Sequence, residues 1–254
     1  MNNLFSLQGR TALITGGSRG IGRMIAAGFL AQGARVYISA RKASVCDQTA
    51  AELGELGHCV SLPADVSSVA GAKALAVAYA AHEPLLDILV NNAGAAWGAP
   101  FDDFPESGWD KVVDLNLKAP FFLTQALAGH LRLAGQQRVA KVINIASIDG
   151  LSVNPQETYS YAGSKAGLVH LTRRMALRLI QDNIAVTAIA PGAFASEMNR
   201  DARDRADEVS AHIPAGRIGV DEDMAGAAIY LASRAGDYVV GETLVVDGGV
   251  TLKR

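Results

Sequence analysis

Short β-branched runs alternate with longer stretches of helical spacing along almost the whole chain. The runs are Thr11–Thr15, Arg35–Ser39, Cys59–Ala64, Leu86–Asn91, Lys141–Ala146, Ala185–Ala190 and Thr243–Asp247. Between them, Ile21–Gln32, Ser44–Leu56 and Ser67–Ala81 carry helical periodicity. Strands buried on both faces read as continuous apolar runs, whereas half-exposed strands alternate. These runs are continuous. With right-handed β-α-β crossovers they predict an α/β protein, a doubly wound parallel sheet of seven strands with helices on both faces.

Two helical stretches are apolar on more than one side. Trp109–Leu133 carries Val112, Val113, Leu115, Leu117, Phe121, Phe122, Leu123, Leu127 and Leu131, and Tyr161–Ile180 carries Leu168, Val169, Leu171, Met175 and Leu179. A helix covering a sheet needs one apolar stripe, so a second must be covered by neighbouring helices or another subunit. We expect a homo-oligomer, a dimer or a tetramer. Gly192–Arg217 breaks the alternation with the charged stretch Asp201-Ala202-Arg203-Asp204-Arg205-Ala206-Asp207-Glu208. Directly after a strand, residues 192–217 read as a substrate lid or as a solvated insertion.

Composition narrows the class. The 254 residues, half of them hydrophobic and 19% charged, suit one catalytic domain spanning 1–254 without disulfide or metal staples. Twenty-three basic against 25 acidic side chains leave no electrostatic footprint for nucleic acid or an anionic membrane. Cys46 and Cys59 are too few for a disulfide framework or a zinc site, so no metal and a reducing, cytoplasmic setting are expected. The stretch Met1–Arg10 lacks the pattern of a signal peptide, and no uncharged apolar run approaches the ~18 residues of a membrane span. Glycine is in excess, 26 residues or about 10% against a usual ~7%.

Part of that excess is placed for chemistry. Thr15-Gly16-Gly17-Ser18-Arg19-Gly20-Ile21-Gly22 joins the first run to the first helix. Glycines there allow a tight turn and close approach of a diphosphate to the helix N-terminus, so a dinucleotide site is predicted. Selectivity for NAD usually needs an acid at the end of the second strand, for the ribose 2′-OH. Here Ser39-Ala40-Arg41-Lys42 has none before Asp47. Arg41, joined by Arg19, can pair with a 2′-phosphate, which favours NADP(H); the alternative is that both are plain surface charges.

The glycines belong to a wider set. Asn91-Asn92-Ala93-Gly94 ends the fourth run, Asn116 lies in a long helix and Ser147 ends the fifth run. Tyr161 and Lys165 are four apart on a helix, Pro191-Gly192 follows the sixth run, and Val245-Val246-Asp247-Gly248-Gly249 closes the chain. In order and spacing this set resembles the short-chain dehydrogenase/reductase family over essentially the whole chain, and implies a Rossmann-type fold. Within that family the chain looks most like the NADPH-dependent 3-oxoacyl-thioester (β-ketoacyl) reductase branch, including relatives associated with rhamnolipid and hydroxyalkanoate synthesis.

A Tyr and a Lys at this spacing share a helix face, so the ammonium can sit beside the phenol and lower a pKa that is ordinarily ~10. The resemblance implies Tyr161 as proton donor or acceptor, Lys165 on the nicotinamide ribose, Ser147 positioning substrate, and Asn116 supporting a water in the proton relay. It also implies that Asp65 and Val66 contact adenine and that Asn92 contacts the cofactor. Gly192 and Phe194 would hold the nicotinamide amide through backbone groups. Ser196 stands where the family often has threonine, and its hydroxyl could make the same phosphate contact. Tyr159 has Gly163 as its i+4 partner and cannot replace Tyr161. Ser152 is either a second substrate contact or a solvated loop serine.

The expected activity is hydride transfer from NADPH to a ketone, giving a secondary alcohol. The substrate would be a 3-oxoacyl thioester, on an acyl carrier protein or coenzyme A, or else a sugar, steroid or other small ketone. A non-catalytic NADP-binding regulator is the reading from a different class. Trp97, Phe101, Phe194 and Met198 either line an acyl channel or are ordinary packing. Arg200, Arg203 and Arg205 would form the basic patch a carrier protein needs, diluted by Asp201, Asp204 and Asp207.

Overall fold

The computed structural model describes residues 3–253; Met1 and Asn2 of the amino-terminal stretch, and Arg254, lie outside the described residues. Along the chain β1 (Thr11–Thr15), α1 (Gly20–Ala31), β2 (Arg35–Ser39), α2 (Ala43–Leu53), β3 (Cys59–Ser61), α3 (Val69–Ala80) and β4 (Ile88–Asn91) come first. Then follow α4 (Glu106–Val113), α5 (Ala119–Ala126), α6 (Ala128–Gly135), β5 (Ala140–Ile145), α7 (Tyr159–Leu179) and β6 (Ile184–Pro191). Two short helices, α8 (Arg200–Asp204) and α9 (Ala206–Ser210), precede α10 (Asp221–Ala232) and β7 (Thr243–Val246).

The described residues form one parallel seven-stranded sheet in the order β3-β2-β1-β4-β5-β6-β7. This is the doubly wound architecture expected from the alternating pattern. Successive residues of β1 enter opposite cores: Ile14 packs with Ile25, Phe29 and Leu231, Leu13 with Tyr37, Leu75 and Leu89. Both faces are covered, which is why the strands read as continuous apolar runs. Each fully buried Leu, Ile or Phe contributes roughly 1.5–3 kcal/mol.

Strands β1 and β2 occupy the expected residues. β3 stops at Ser61 because Pro63, having no N–H, cannot continue a ladder. The stretch 109–133 is not one helix. A π-helical segment, Asp114–Lys118, separates α4 from α5, with Ala119 N–H bonded to the Asp114 carbonyl. Pro120 explains the break, since in an α-helix its missing N–H would serve the carbonyl of Asn116.

The strand order reverses between β1 and β4, and crevices at such switch points hold ligands at strand carboxyl ends. Here Thr15 staples the two strands. Its hydroxyl donates to the Val90 carbonyl at 3.3 Å and accepts from the Asn92 and Ala93 N–H groups, both at 3.0 Å. Among the described residues no helix is long and apolar enough to cross a membrane.

Candidate active site

The glycine loop leaves β1 with Gly16 at φ +64° and enters α1 with Gly20 at φ +51°, backbone that L side chains rarely adopt. Gly22 has no room for a side chain: a Cβ would lie 2.3 Å from the Gly16 carbonyl oxygen and 2.4 Å from Asn92 Nδ2. The Asn92 carboxamide holds the loop shut from the other strand, donating to the carbonyls of Thr15 and Gly16 at 2.9 and 3.1 Å. Arg19 occupies the N-cap of α1 in extended conformation without a side-chain cap, and the first turn carries no acid. Its N–H groups and dipole therefore suit an anion. A cradle without side chains, opening on an uncapped helix, fits a diphosphate.

Ser18 and Ile21 are half-buried in the same loop, and the Ser18 carbonyl accepts from the Thr49 hydroxyl at 3.1 Å. Ser196 arrives from the far side, its Cβ 3.2 Å from where a Gly20 Cβ would stand, so the segment after β6 closes on the loop. Gly192 is packed against the Asp247 backbone, where a Cβ would come within 2.8 Å of Cα. Phe194 divides into two parts. Its backbone bridges Gly219, while its ring is 3% exposed and belongs to the core, not to an acyl channel.

Arg41 is exposed at the end of β2, and its charge reaches Asp65 after β3. Burial by itself would raise the Asp65 carboxyl, but hydrogen bonds from Ser67 and the Arg41 charge outweigh it and hold the group low. Val66 is buried beside Thr15 and Leu115. The structure thus brings together two residues read separately from the sequence.

Ser147 does not end β5 but caps a short 3₁₀ turn, Ile148–Gly150, its hydroxyl accepting from the Asp149 N–H at 3.2 Å. A hydrogen bond joins Ser147 to Tyr161, in the first turn of α7. Burial pushes the Tyr161 hydroxyl above its ordinary value, the Ser147 bond pulls it down and the charge of Asp149 pushes it up, for a net rise. Lys165 lies beside this phenol. The ammonium sits over the ring, 5.6 Å from its centroid, and donates to the Ile145 carbonyl at 2.7 Å. Burial lowers Lys165 itself to about 8.

Asn116, on the π-helical segment, is 1% exposed. Its Oδ1 accepts from the Ala95 N–H at 2.8 Å, while Nδ2 donates to the Ala95 carbonyl at 2.9 Å and to Ser164 Oγ at 3.1 Å. A Cβ on Gly94 would lie 3.2 Å from Asn116 Oδ1 and 3.8 Å from Lys165 Nζ. The strand ends of β4 and β5, the π segment and α7 therefore converge on one point. Sequence reasoning passed over Ser164 and Asp149; their positions, next to Lys165 and two after Ser147, were the available signals.

Several neighbours have other partners or are exposed. Tyr159 points its hydroxyl at Glu157, 3.0 Å away, and its ring packs on Phe101 and Phe104. Ser152 donates to the Ile148 carbonyl at 3.2 Å within the turn. Trp97 stacks under Lys111, 5.1 Å from its ring, whereas Phe101 and Met198 are exposed. Two arginines of the basic patch are paired within their own segment: Arg203 with Asp204 and Glu197, Arg205 with Asp201 and Glu208.

A family model described as enoyl-(acyl carrier protein) reductase matches residues 16–251. A rhamnolipids biosynthesis 3-oxoacyl-(acyl-carrier-protein) reductase of Pseudomonas aeruginosa is 48% identical, over 99% of this chain and 100% of its own length. A 2-dehydro-3-deoxy-D-gluconate 5-dehydrogenase of Dickeya dadantii is 39% identical, over 97% of both chains. Among solved structures, a Pseudomonas aeruginosa RhlG/NADP active-site complex superposes with a TM-score of 0.95 at 47% identity, covering 99% of this chain and 100% of that one.

Proposed function

The chain belongs to the short-chain dehydrogenase/reductase family, and on that premise we propose that it is an NADPH-dependent reductase of 3-oxoacyl thioesters. The observation that carries this reading is the meeting of Ser147, Tyr161 and Lys165 beside Gly94 and Asn116, at the mouth of the glycine cradle. The thioester is supported by likeness to the Pseudomonas aeruginosa reductase. NADP is supported by the NADP complex of the similar structure and by Arg41 where an NAD-selective chain has an acid.

When bound, the nicotinamide supplies the hydride. The chain supplies the rest. Ser147, held by the Asp149 N–H, donates its hydroxyl proton to the ketone oxygen and fixes its position. Tyr161 gives its phenolic proton to that oxygen as negative charge develops there. A tyrosine held above its ordinary value keeps that proton at neutral pH and yields it to the far more basic alkoxide. Lys165, with one N–H spent on Ile145, directs the others to the ribose hydroxyls and the tyrosine. Asn116 locks the Ala95 backbone, and its carbonyl is the group we assign to a relay water. Gly16, Ser18, Gly20, Ile21, Gly22 and Ser196 hold the diphosphate, and Arg19 and Arg41 the 2′-phosphate. Asp65 and Val66 hold the adenine, with Asn92, Gly192 and Phe194 on the nicotinamide side.

Residues 192–217 serve as the lid, with α8 and α9 joined through Arg205, which pairs with Asp201 of one and Glu208 of the other. Phe121 on α5 is exposed and lines, with Leu171 and Met175 of α7, a cavity of about 310 Å³. We assign that face to a dimer or tetramer, which light scattering of the purified protein tests directly. Cys46 and Cys59, both free, suit the cytoplasm. Reduction of a keto-sugar acid is the second reading, supported by the Dickeya dadantii relative.

The test is NADPH oxidation over a panel of 3-oxoacyl thioesters and keto-sugar acids, with Tyr161→Phe as control. Loss of general acid catalysis should cost roughly 10²–10⁴ in turnover. Equal rates for both proteins would overturn the mechanism, and NADPH binding without turnover would favour a regulator.

A further inference from the structure

Two hydrogen-bonded rungs tie the π-helical segment and α5 to α7. The upper rung is direct: Asn116 Nδ2 donates to Ser164 Oγ at 3.1 Å, and Ser164 in turn donates to the Tyr161 carbonyl at 2.8 Å. The lower rung runs over the sheet through four side chains. Asn91 Nδ2, at the end of β4, donates to Thr124 Oγ1 of α5 at 3.2 Å and to Asn144 Oδ1 of β5 at 2.8 Å. Asn144 Nδ2 donates to Thr172 Oγ1 of α7 at 2.9 Å. Eight residues separate Asn116 from Thr124, and eight separate Ser164 from Thr172, so the rungs are spaced alike on both sides.

Every member of the lower rung is buried, Asn144 and Thr172 completely. Burying carboxamides and hydroxyls costs free energy that apolar side chains of the same shape would not, so what such a set adds is a unique arrangement. The pattern here admits one solution. Thr124 spends its hydroxyl proton on the Pro120 carbonyl at 2.7 Å, and Thr172 spends its own on the Leu168 carbonyl at 2.8 Å. Both hydroxyls can then only accept, so Asn91 and Asn144 must each present N–H to the neighbouring helix. The two asparagines are themselves fixed, because the β4–β5 register sets them opposite each other. Sliding α7 by one residue, about 1.5 Å along its axis, would break the rung and leave a buried N–H without an acceptor.

We infer that Asn144 and Thr172 are positioning residues for hydride transfer: the lower rung holds α7 in register with α5 and so keeps Asn116 beside Tyr161 and Lys165. Both act through the upper rung and the first turns of α7. A displacement of about 1 Å at a reacting centre is enough to cost ~10²-fold in rate. This role rests on the ketone-reductase reading of the same site.

The experiment pairs turnover with a readout that needs no reaction. The Ala95 N–H, bonded to Asn116 Oδ1 at 2.8 Å, reports by NMR amide exchange whether Asn116 stays in place. Thr172→Val keeps the shape and removes the hydroxyl. It is expected to lower kcat about tenfold, to change KM for ketone and for NADPH less than about twofold, and to speed Ala95 exchange about tenfold. Thr124→Val, at the other end of the rung, should act alike, and Thr172→Ser, which keeps the hydroxyl, should restore native behaviour. Val142→Ala, in the same buried layer of β5, should lower the urea midpoint without moving kcat or Ala95 exchange. A kcat or an Ala95 exchange rate within about twofold of native in both valine variants overturns the inference, as does a Val142→Ala protein that matches them. Failure of the reductase reading shows differently: the native chain oxidises no NADPH over the ketone panel, yet Ala95 exchange still responds to Thr172→Val.

Discussion

Asn116 grips both backbone groups of Ala95, accepting from its N–H at 2.8 Å and donating to its carbonyl at 2.9 Å. The clasp ties the π-helical segment to the chain leaving β4, and its remaining N–H runs to Ser164, one residue before Lys165. Replacing Asn116 by Ala leaves the Ala95 groups without partners in a buried site. The expected loss is about 1–3 kcal/mol of stability, read as a lower urea midpoint, together with reduced turnover. An unchanged midpoint would contradict this account.

Lys165 gives a pH signature. Burial lowers it from its ordinary 10.5 to about 8, so between those values the unfolded chain holds a proton that the folded chain does not. Stability therefore rises as pH climbs through that window, and below it the buried lysine costs about 3 kcal/mol. Lys165→Met removes that cost and also the hydrogen bond to Ile145, worth about 1 kcal/mol. The variant should be inactive yet more stable than the native chain by about 2 kcal/mol near neutral pH, with the gap closing above about pH 10. Denaturation midpoints at both pH values check this.

Two glycines should respond oppositely to alanine. Gly22→Ala puts a methyl 2.3 Å from the Gly16 carbonyl oxygen, forcing the cradle open. NADPH binding is expected to weaken at least about tenfold, with about 1–3 kcal/mol of stability lost. Gly226 lies mid-way along α10 with nothing within 4 Å of a Cβ. Gly226→Ala should raise stability by about 0.5–1 kcal/mol and leave NADPH binding unchanged.

Arg41→Asp tests the reading of the 2′-phosphate. The change removes a charge-assisted contact and places a second acid beside Asp65, which Arg41 now helps to hold low. NADPH affinity should fall by ~1–3 kcal/mol while NADH is affected much less, by fluorescence titration of both. An unchanged NADPH-to-NADH ratio would remove Arg41 from the site.

Much of this molecule is decided by short stretches of sequence. Strands such as Thr11–Thr15 are continuous apolar runs because both faces are buried, and a run of five residues is enough to state that. The glycines of 16–22 are likewise local, since a backbone at φ +64° or a missing Cβ is a requirement on one residue. The order of Ser147, Tyr161 and Lys165 could be read as well, because helical spacing alone puts the last two on one face. What the chain could not state is what meets across it. Tyr161 is held up, not down, because burial and Asp149 outweigh Ser147, and Lys165 lies beneath the ring on Ile145. Phe194 turns into the core under Gly219, and Arg203 and Arg205 pair with carboxylates of their own segment. Pro120 forces a π-helical turn into a helix that continues past it. Charge and burial act between residues distant in sequence, so only packing sets their sign; periodicity and backbone freedom belong to neighbours, and the sequence by itself carries them.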